Sequence, residues 1–290
     1  MTDDAAPPAL EAVGLRKTFG DLVAVDDITV TLARGASLAV VGESGSGKTT
    51  TARMIAGLEP LTAGTLRLDG RVPPGRGAKS AERRRFARCV QMVFQDPYAS
   101  LDRHQRVADS IGEVLSLHTE LRGEALRRRT AELLDQVGLG ARQARSLPRS
   151  LSGGQRQRVA IARAVAVEPR LLILDEAVAA LDVSVQAQII ALLREIRERS
   201  DIAYLFITHD LGIVQHLCDD IVVMHRGRVV ESGRTLSVLD APRDPYTRAL
   251  LDSVPRRGWK PSRRLGSDTP STTPTPLLDN GVTSCPSPRP

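Results

Sequence analysis

Cysteine is nearly missing from this chain. Its three positions among 290 residues, Cys89, Cys218 and Cys285, lie far apart. No pair is spaced for a metal knuckle, and a sparse, odd count suits a reducing compartment better than a disulfide framework. Long apolar runs are missing too. The longest, such as "LLIL" at 171–174 and "AYLFI" at 203–207, are strand-sized, well short of the roughly 18 residues a membrane-spanning helix needs. The start, "MTDDAAPPAL", is acidic and has no apolar core, which predicts no secretory signal. The formal net charge is +6, yet the basic clusters at 83–85, 127–129 and 256–264 are short and scattered. They read as solvated surface, and no nucleic-acid partner is expected.

What remains is ample for a globular fold. Hydrophobic residues make up 41% and charged residues 26%, and the length fits one large core, or one core with a smaller subdomain. Residues 11–18 and 22–32 alternate like antiparallel strands. "SLAVVG" (37–42) is a buried-type strand that runs through a loop into a helix from Lys48 to about Leu58. "TLRLDG" is a further strand. From Gln95 to about Glu168 the segments become helix-length, as in "RGEALRRRTAELLDQVGL". Apolar strands "LLILDE" and "AYLFITHD" follow, each leading into a helix, and in "VSVQAQIIALLREI" Val185, Ile189, Leu193 and Ile196 share one face. "IVVMHRGRVVESG" reads as a late hairpin. The expected fold is α/β: a mostly parallel sheet with an antiparallel β edge near the start and a helical insert over about 96–168. The expected domain covers 10–255. Beyond it, in 256–290, Pro, Ser and Thr dominate without period, which predicts a disordered tail.

The stretch "GESGSGKT" at 42–49 fits G-x-x-x-x-G-K-[ST] between an apolar strand and a helix. Glycines are needed there because backbone amides must point at phosphate oxygens without side-chain interference, and the helix start adds favourable partial charge. Gly42, Glu43, Ser44, Gly45, Ser46, Gly47, Lys48, Thr49 and Thr50 are the candidate nucleotide-binding residues. Lys48 is expected at the β- and γ-phosphates, and the Thr49 hydroxyl on Mg²⁺. Asp175 ends a buried strand, where it can hold the Mg²⁺ shell, and Glu176 beside it can polarise an attacking water. His209 ends the next strand, within reach of the γ-phosphate. Gln95, after "VQMVF", can bring an amide oxygen towards Mg²⁺ or the water.

A second glycine loop, "LSGGQ" at 151–155, again runs straight into a helix. With these elements in this order, the chain resembles the ATP-binding subunit of ABC transporters over about residues 10–255. "GESGSGKTT" is similar to the Walker A loop, "VFQ" to the Q-loop, "LSGGQ" to the family signature, "LLILDE" to Walker B, "AALD" to the D-loop and "ITHD" to the switch-histidine loop. The resemblance implies ATP and Mg²⁺ as cofactors, Glu176 and His209 as catalytic residues, and Phe19 of "KTFG" as the aromatic that stacks on adenine. It also implies a head-to-tail pair of ATPase subunits. Each ATP would lie between Walker A of one subunit and Ser152, Gly153, Gly154 and Gln155 of the other, with Asp182 of "AALD" at the dimer contact. The amides of 152–154 at a helix start fit an anion by the same logic as the first loop.

Three longer stretches, "VQMVFQDPYASLD", "DEAVAALDVSVQAQ" and "PYTRALLDSVP", resemble the oligopeptide/dipeptide importer branch. Ala177 stands where that branch has Pro, and Asp102–Arg103 replace its Asn-Pro. Members of the branch that hold an iron–sulfur cluster do so in a cysteine-rich tail; the tail here has Cys285 alone, so no cluster is expected. The implied function is the ATP-hydrolysing subunit of a peptide importer. Its partners would be a second ATPase subunit (a related chain or a copy), membrane permease subunits and, indirectly, an extracytoplasmic solute-binding protein. It would sit peripherally at the cytoplasmic face of the membrane. The alternative is a soluble ABC-type ATPase acting on DNA or the ribosome, but one cassette without a heptad run fits it poorly.

Overall fold

The computed structural model describes residues 6–75, 77–98 and 100–253. The expectations for the tail at 256–290 and for the boundary near 255 lie outside these residues. Two strands come first, β1 (Leu10–Phe19) and β2 (Leu22–Leu32), followed by β3 (Ser37–Val41), α1 (Lys48–Ile55) and β4 (Ala63–Leu68). Next are α2 (Ser80–Cys89) and β5 (Val90–Val93). Helices then dominate: α3 (Val107–His118), α4 (Gly123–Gln136), α5 (Ala141–Ala144), a 3₁₀ turn at Pro148–Ser150, and α6 (Gly153–Val165). Alternation resumes with β6 (Leu171–Asp175), α7 (Val183–Glu198), β7 (Ala203–Thr208) and α8 (Leu211–Leu217). The hairpin of β8 (Asp220–His225) and β9 (Arg228–Arg234) leads to α9 (Thr235–Asp240) and α10 (Pro245–Asp252).

Two sheets result. One is antiparallel, in the order β2-β1-β4; the other runs β5-β6-β7-β3-β8-β9 and is parallel except for β9. The antiparallel strands expected at an edge thus form a sheet of their own. Successive residues of a strand face opposite sides, and the core divides accordingly. Leu171 and Ile173 of β6 pack with α1 (Ala52, Met54, Ile55) and with Leu10, Leu15, Ile28 and Leu66 of the antiparallel sheet. Leu172 and Leu174 pack with Ile111, Leu133, Ile161 and Leu193 of the helices. Both faces of the parallel sheet are therefore covered, which is why its strands read as unbroken apolar runs. The helical insert is continuous with this second core, since Val107, Leu115 and Leu134 share it with Phe206 and Val41. Phe206 is fully buried, and truncating such a side chain to Ala costs about 3–5 kcal/mol.

Some elements differ from expectation. Helix α1 stops at Ile55, short of Leu58, because Gly57 takes a φ of 71° and ends the helix in the left-handed region. A Cβ there would lie 2.9 Å from the Phe86 ring. Helix α2 has no buried residue, so its arginine-rich run offers no apolar period to read. Helix α10 opens with Asp244 accepting from the Tyr246 amide, followed by Pro245 at the first turn. That is a start signal present in the sequence but unread.

Candidate active site

Strand β3 is pinned at its amino end. The Ser37 amide and hydroxyl both donate to Asp219, at 3.1 and 2.8 Å, and Arg197 donates to Asp219 at 3.3 Å. Its other end delivers the glycine loop. Gly42 has a φ of 152°, and a Cβ on it would stand 2.2 Å from the Met224 carbonyl oxygen. Gly45 and Gly47 have φ of 81° and 101°, and Gly47 serves as the N-cap of α1. Strand β2 closes over the loop, because a Cβ on Gly47 would meet the Ala24 carbonyl at 2.6 Å. Glu43, Ser44 and Gly45 are exposed, Ser46 and Lys48 are buried, and Thr49 and Thr50 are half-buried.

Lys48 lies beneath the loop, and its ammonium donates to the Gly42 and Glu43 carbonyls at 2.8 and 2.7 Å. Burial pushes its pKa down, opposed by the nearby carboxylates of Glu176, Asp175 and Glu43. A desolvated cation held by two neutral carbonyls and, at 3.4 Å, the Ser46 hydroxyl would gain from an anionic acceptor. The Thr49 hydroxyl donates to Asp175 at 3.2 Å. Asp175 is buried, and burial raises its pKa; the Thr49 hydrogen bond acts the other way. Strand order explains how these meet: β7 lies between β3 and β6, yet α1 reaches across to the end of β6.

Glu176 follows with a φ of 47°, a left-handed conformation that a non-glycine residue rarely adopts, while its amide donates to the Ile207 carbonyl of β7. Its carboxylate comes within 3.4 Å of His209 Nδ1. Gln95 is exposed and lines a cleft of about 590 Å³ shared with Thr49, Asp175 and Arg163. Phe19 is 47% exposed at the β1–β2 turn, with the Lys17 ammonium 4.7 Å from its ring centroid.

The second glycine loop forms a separate cluster. Ser152 caps α6, accepting from the Gln155 amide at 3.2 Å, while the Gln155 side chain accepts from the Ser152 amide at 3.0 Å. Asp182 caps α7, accepting from Val185 N at 3.0 Å. The two caps adjoin: a Cβ on Gly153 would lie 3.5 Å from Leu181 Cδ2, and one on Gly154 only 2.5 Å from Val185 Cγ1. Ser152, Gly153 and Asp182 are exposed. None of the hydrogen bonds among the described residues joins this cluster to the first loop.

One contact escaped the motif reading. The Glu43 amide donates to the Tyr246 hydroxyl at 3.0 Å, across 203 residues. "PYTRALL" stood out in the sequence, but nothing in it indicated which surface its tyrosine would meet.

A glycine loop between β3 and α1, with an acid-ended strand two places away in the sheet, defines a P-loop nucleoside triphosphatase. The chain belongs to the ABC transporter family: the family profile so described matches residues 25–179. A second profile, described as the C-terminal region of oligopeptide/dipeptide transporters, matches residues 230–286. A peptide import ATP-binding protein of Brucella abortus is 45% identical over 89% of this chain and 78% of its own length. The oligopeptide transport ATP-binding protein OppF of Bacillus subtilis is 43% identical over 85% of this chain and 82% of its own. Among solved structures, a dimeric post-hydrolysis state of the ATP-binding cassette MJ0796 bound to ADP and Pi superposes with a TM-score of 0.69. It is 26% identical, covering 78% of this chain and 98% of that one. The chain is thus an ATP-binding, ATP-hydrolysing subunit of this family.

Proposed function

We propose that this subunit hydrolyses ATP to drive uptake of di- and oligopeptides through a separate membrane permease, at the cytoplasmic face and paired with a second ATPase subunit. The observation that carries the chemistry is the convergence of Lys48, Thr49, Asp175, Glu176 and His209 at one sheet edge. The peptide assignment is supported by the match over 230–286 and by what the relatives are named for. That match also speaks against a soluble ATPase acting on DNA or the ribosome.

In this reading Lys48 exchanges the Gly42 and Glu43 carbonyls for β- and γ-phosphate oxygens, and the amides of 45–50 surround the phosphates. The residues present fit Mg²⁺. Thr49 and Asp175 already place a hydroxyl and a carboxylate together, Gln95 lines the same cleft, and an all-oxygen set suits this hard cation. Among the described residues no group of three or more His, Cys, Asp and Glu is arranged for a metal, so nucleotide oxygens and water would complete its shell. When bound, the cation offsets charge on the phosphates. Glu176 takes a proton from the attacking water, and His209 holds the Glu176 carboxylate in place. Phe19 offers a face to adenine. Ser152, Gly153, Gly154, Gln155 and Asp182, on a separate exposed cluster, complete the partner subunit's site. The permease and, through it, a solute-binding protein supply the substrate.

Glu176→Gln tests the core of this assignment. Turnover should fall at least ~100-fold, the low end for a general base, while ATP binding persists and peptide uptake by the reconstituted transporter stops. Near-normal steady-state hydrolysis would overturn it.

A further inference from the structure

The last described helix, α10, is latched onto the body of the domain at several points. Glu231 on β9 accepts from the Arg243 and Asp244 amides at 2.8 and 3.1 Å, holding the segment just before the helix. Asp244 then caps the helix by accepting from the Tyr246 amide at 2.7 Å. The Tyr246 ring lies against His225, with centroids 4.0 Å apart. The buried Leu250 and Leu251 join the main core. These contacts fix the ring and aim its hydroxyl at one atom of the phosphate loop, the Glu43 amide.

We infer that Tyr246 is a positioning residue for nucleotide binding: it anchors the first turn of the phosphate loop from a helix outside the ATPase motifs. The inference rests on the nucleotide-site reading above. Glu43 is held on both sides, its carbonyl by Lys48 and the Ser46 amide, its own amide by Tyr246. When the Lys48 ammonium moves to phosphate, the carbonyl keeps the Ser46 amide of the same loop, and Tyr246 becomes the anchor of Glu43 from outside the loop. The hydroxyl therefore matters more in the nucleotide-bound state than in the free one, and a difference between the two states is what affinity measures. The helix that supplies it belongs to the region matched by the peptide-transporter C-terminal profile, residues 230–286. That region thus acts directly on the loop that grips ATP, and displacement of α10 would weaken the grip.

Tyr246→Phe keeps the ring and its packing on His225 and removes only the hydroxyl. Full-length chain should then bind a fluorescent ATP analogue about 3- to 10-fold more weakly, the value of one ordinary hydrogen bond. KM for ATP should rise by a similar factor, kcat should stay within twofold, and the melting temperature without nucleotide should fall by no more than the roughly 2–4 °C that one such bond is worth. Affinity within twofold of wild type overturns the inference. So does a larger fall in melting temperature accompanying the weaker binding, because that marks a structural role. Lys48→Ala is measured alongside. If Lys48→Ala binds normally, the nucleotide-site reading falls; if it loses binding while Tyr246→Phe does not, only the role of Tyr246 falls.

Discussion

Gly154→Ala isolates what the second glycine of "LSGGQ" does within its own chain. Gly154 lies inside helix α6, where an alanine backbone is at ease, so conformational freedom is not the reason for glycine. The reason is room: an added methyl would sit 2.5 Å from Val185 Cγ1 and 3.7 Å from its Cβ and Cγ2. Val185 cannot readily turn aside, because a β-branched side chain in a helix is stiff at χ1. Overpacking of this kind costs about 1–3 kcal/mol, and the better helix propensity of alanine returns up to about 1 kcal/mol. A net loss near ~1 kcal/mol corresponds to a fall in Tm of roughly 2–4 °C for a domain of this size. In a Val185→Ala background the clash is gone and the propensity gain remains, so the same substitution should be neutral or stabilising. Melting and urea unfolding of the two single variants and the double variant give the coupling directly. An equal cost of Gly154→Ala in both backgrounds would refute the packing argument. Val185 is the residue whose amide Asp182 caps, so this contact fixes the spacing between the two loops proposed to face the partner subunit.

Two further outcomes follow from the site. Asp175 has a raised pKa in the fold, so between its unfolded and folded values the native state binds more protons and stability falls as pH rises. Asp175→Asn should therefore melt higher than wild type at neutral pH, with the gain shrinking as pH drops through the raised pKa, while hydrolysis is lost; a lower melting point at neutral pH would contradict this. Pairing a Lys48→Ala subunit with a Ser152→Arg subunit, where copies of the chain pair or matching positions of a related partner are changed, puts both defects in one shared site and leaves the other whole. Measurable hydrolysis is expected there but not when one subunit carries both changes, and equal activity in the two arrangements would argue against sites shared between subunits.

Much of the candidate site is legible in the chain because its parts are local. The glycine loop needs its own φ values and the helix that follows it, and residues 42–50 contain both. "LLILD" and "AYLFIT" announce buried strands through composition alone, since a strand covered on both faces has no polar side to show. Helix α2 was not legible, because an arginine-rich helix with no fully buried residue carries no apolar period. Helix α10 was half legible: Asp244–Pro245 marks a start, but its destination does not follow from its sequence.

The sequence by itself determined the local shape of the two glycine loops, the apolar strands that each lead into a helix, and the polar residues that start α6 and α7. All of these depend on contacts within a few residues, where spacing is set by backbone geometry. Only the tertiary structure decided that β7 lies between β3 and β6, and that α1 nonetheless brings Thr49 to Asp175. It alone stacked the antiparallel sheet over one face of the parallel one, and set Tyr246 against Glu43. These pairings join residues up to 203 positions apart. They are chosen by which apolar faces the layers bury against one another, and no local pattern records that choice.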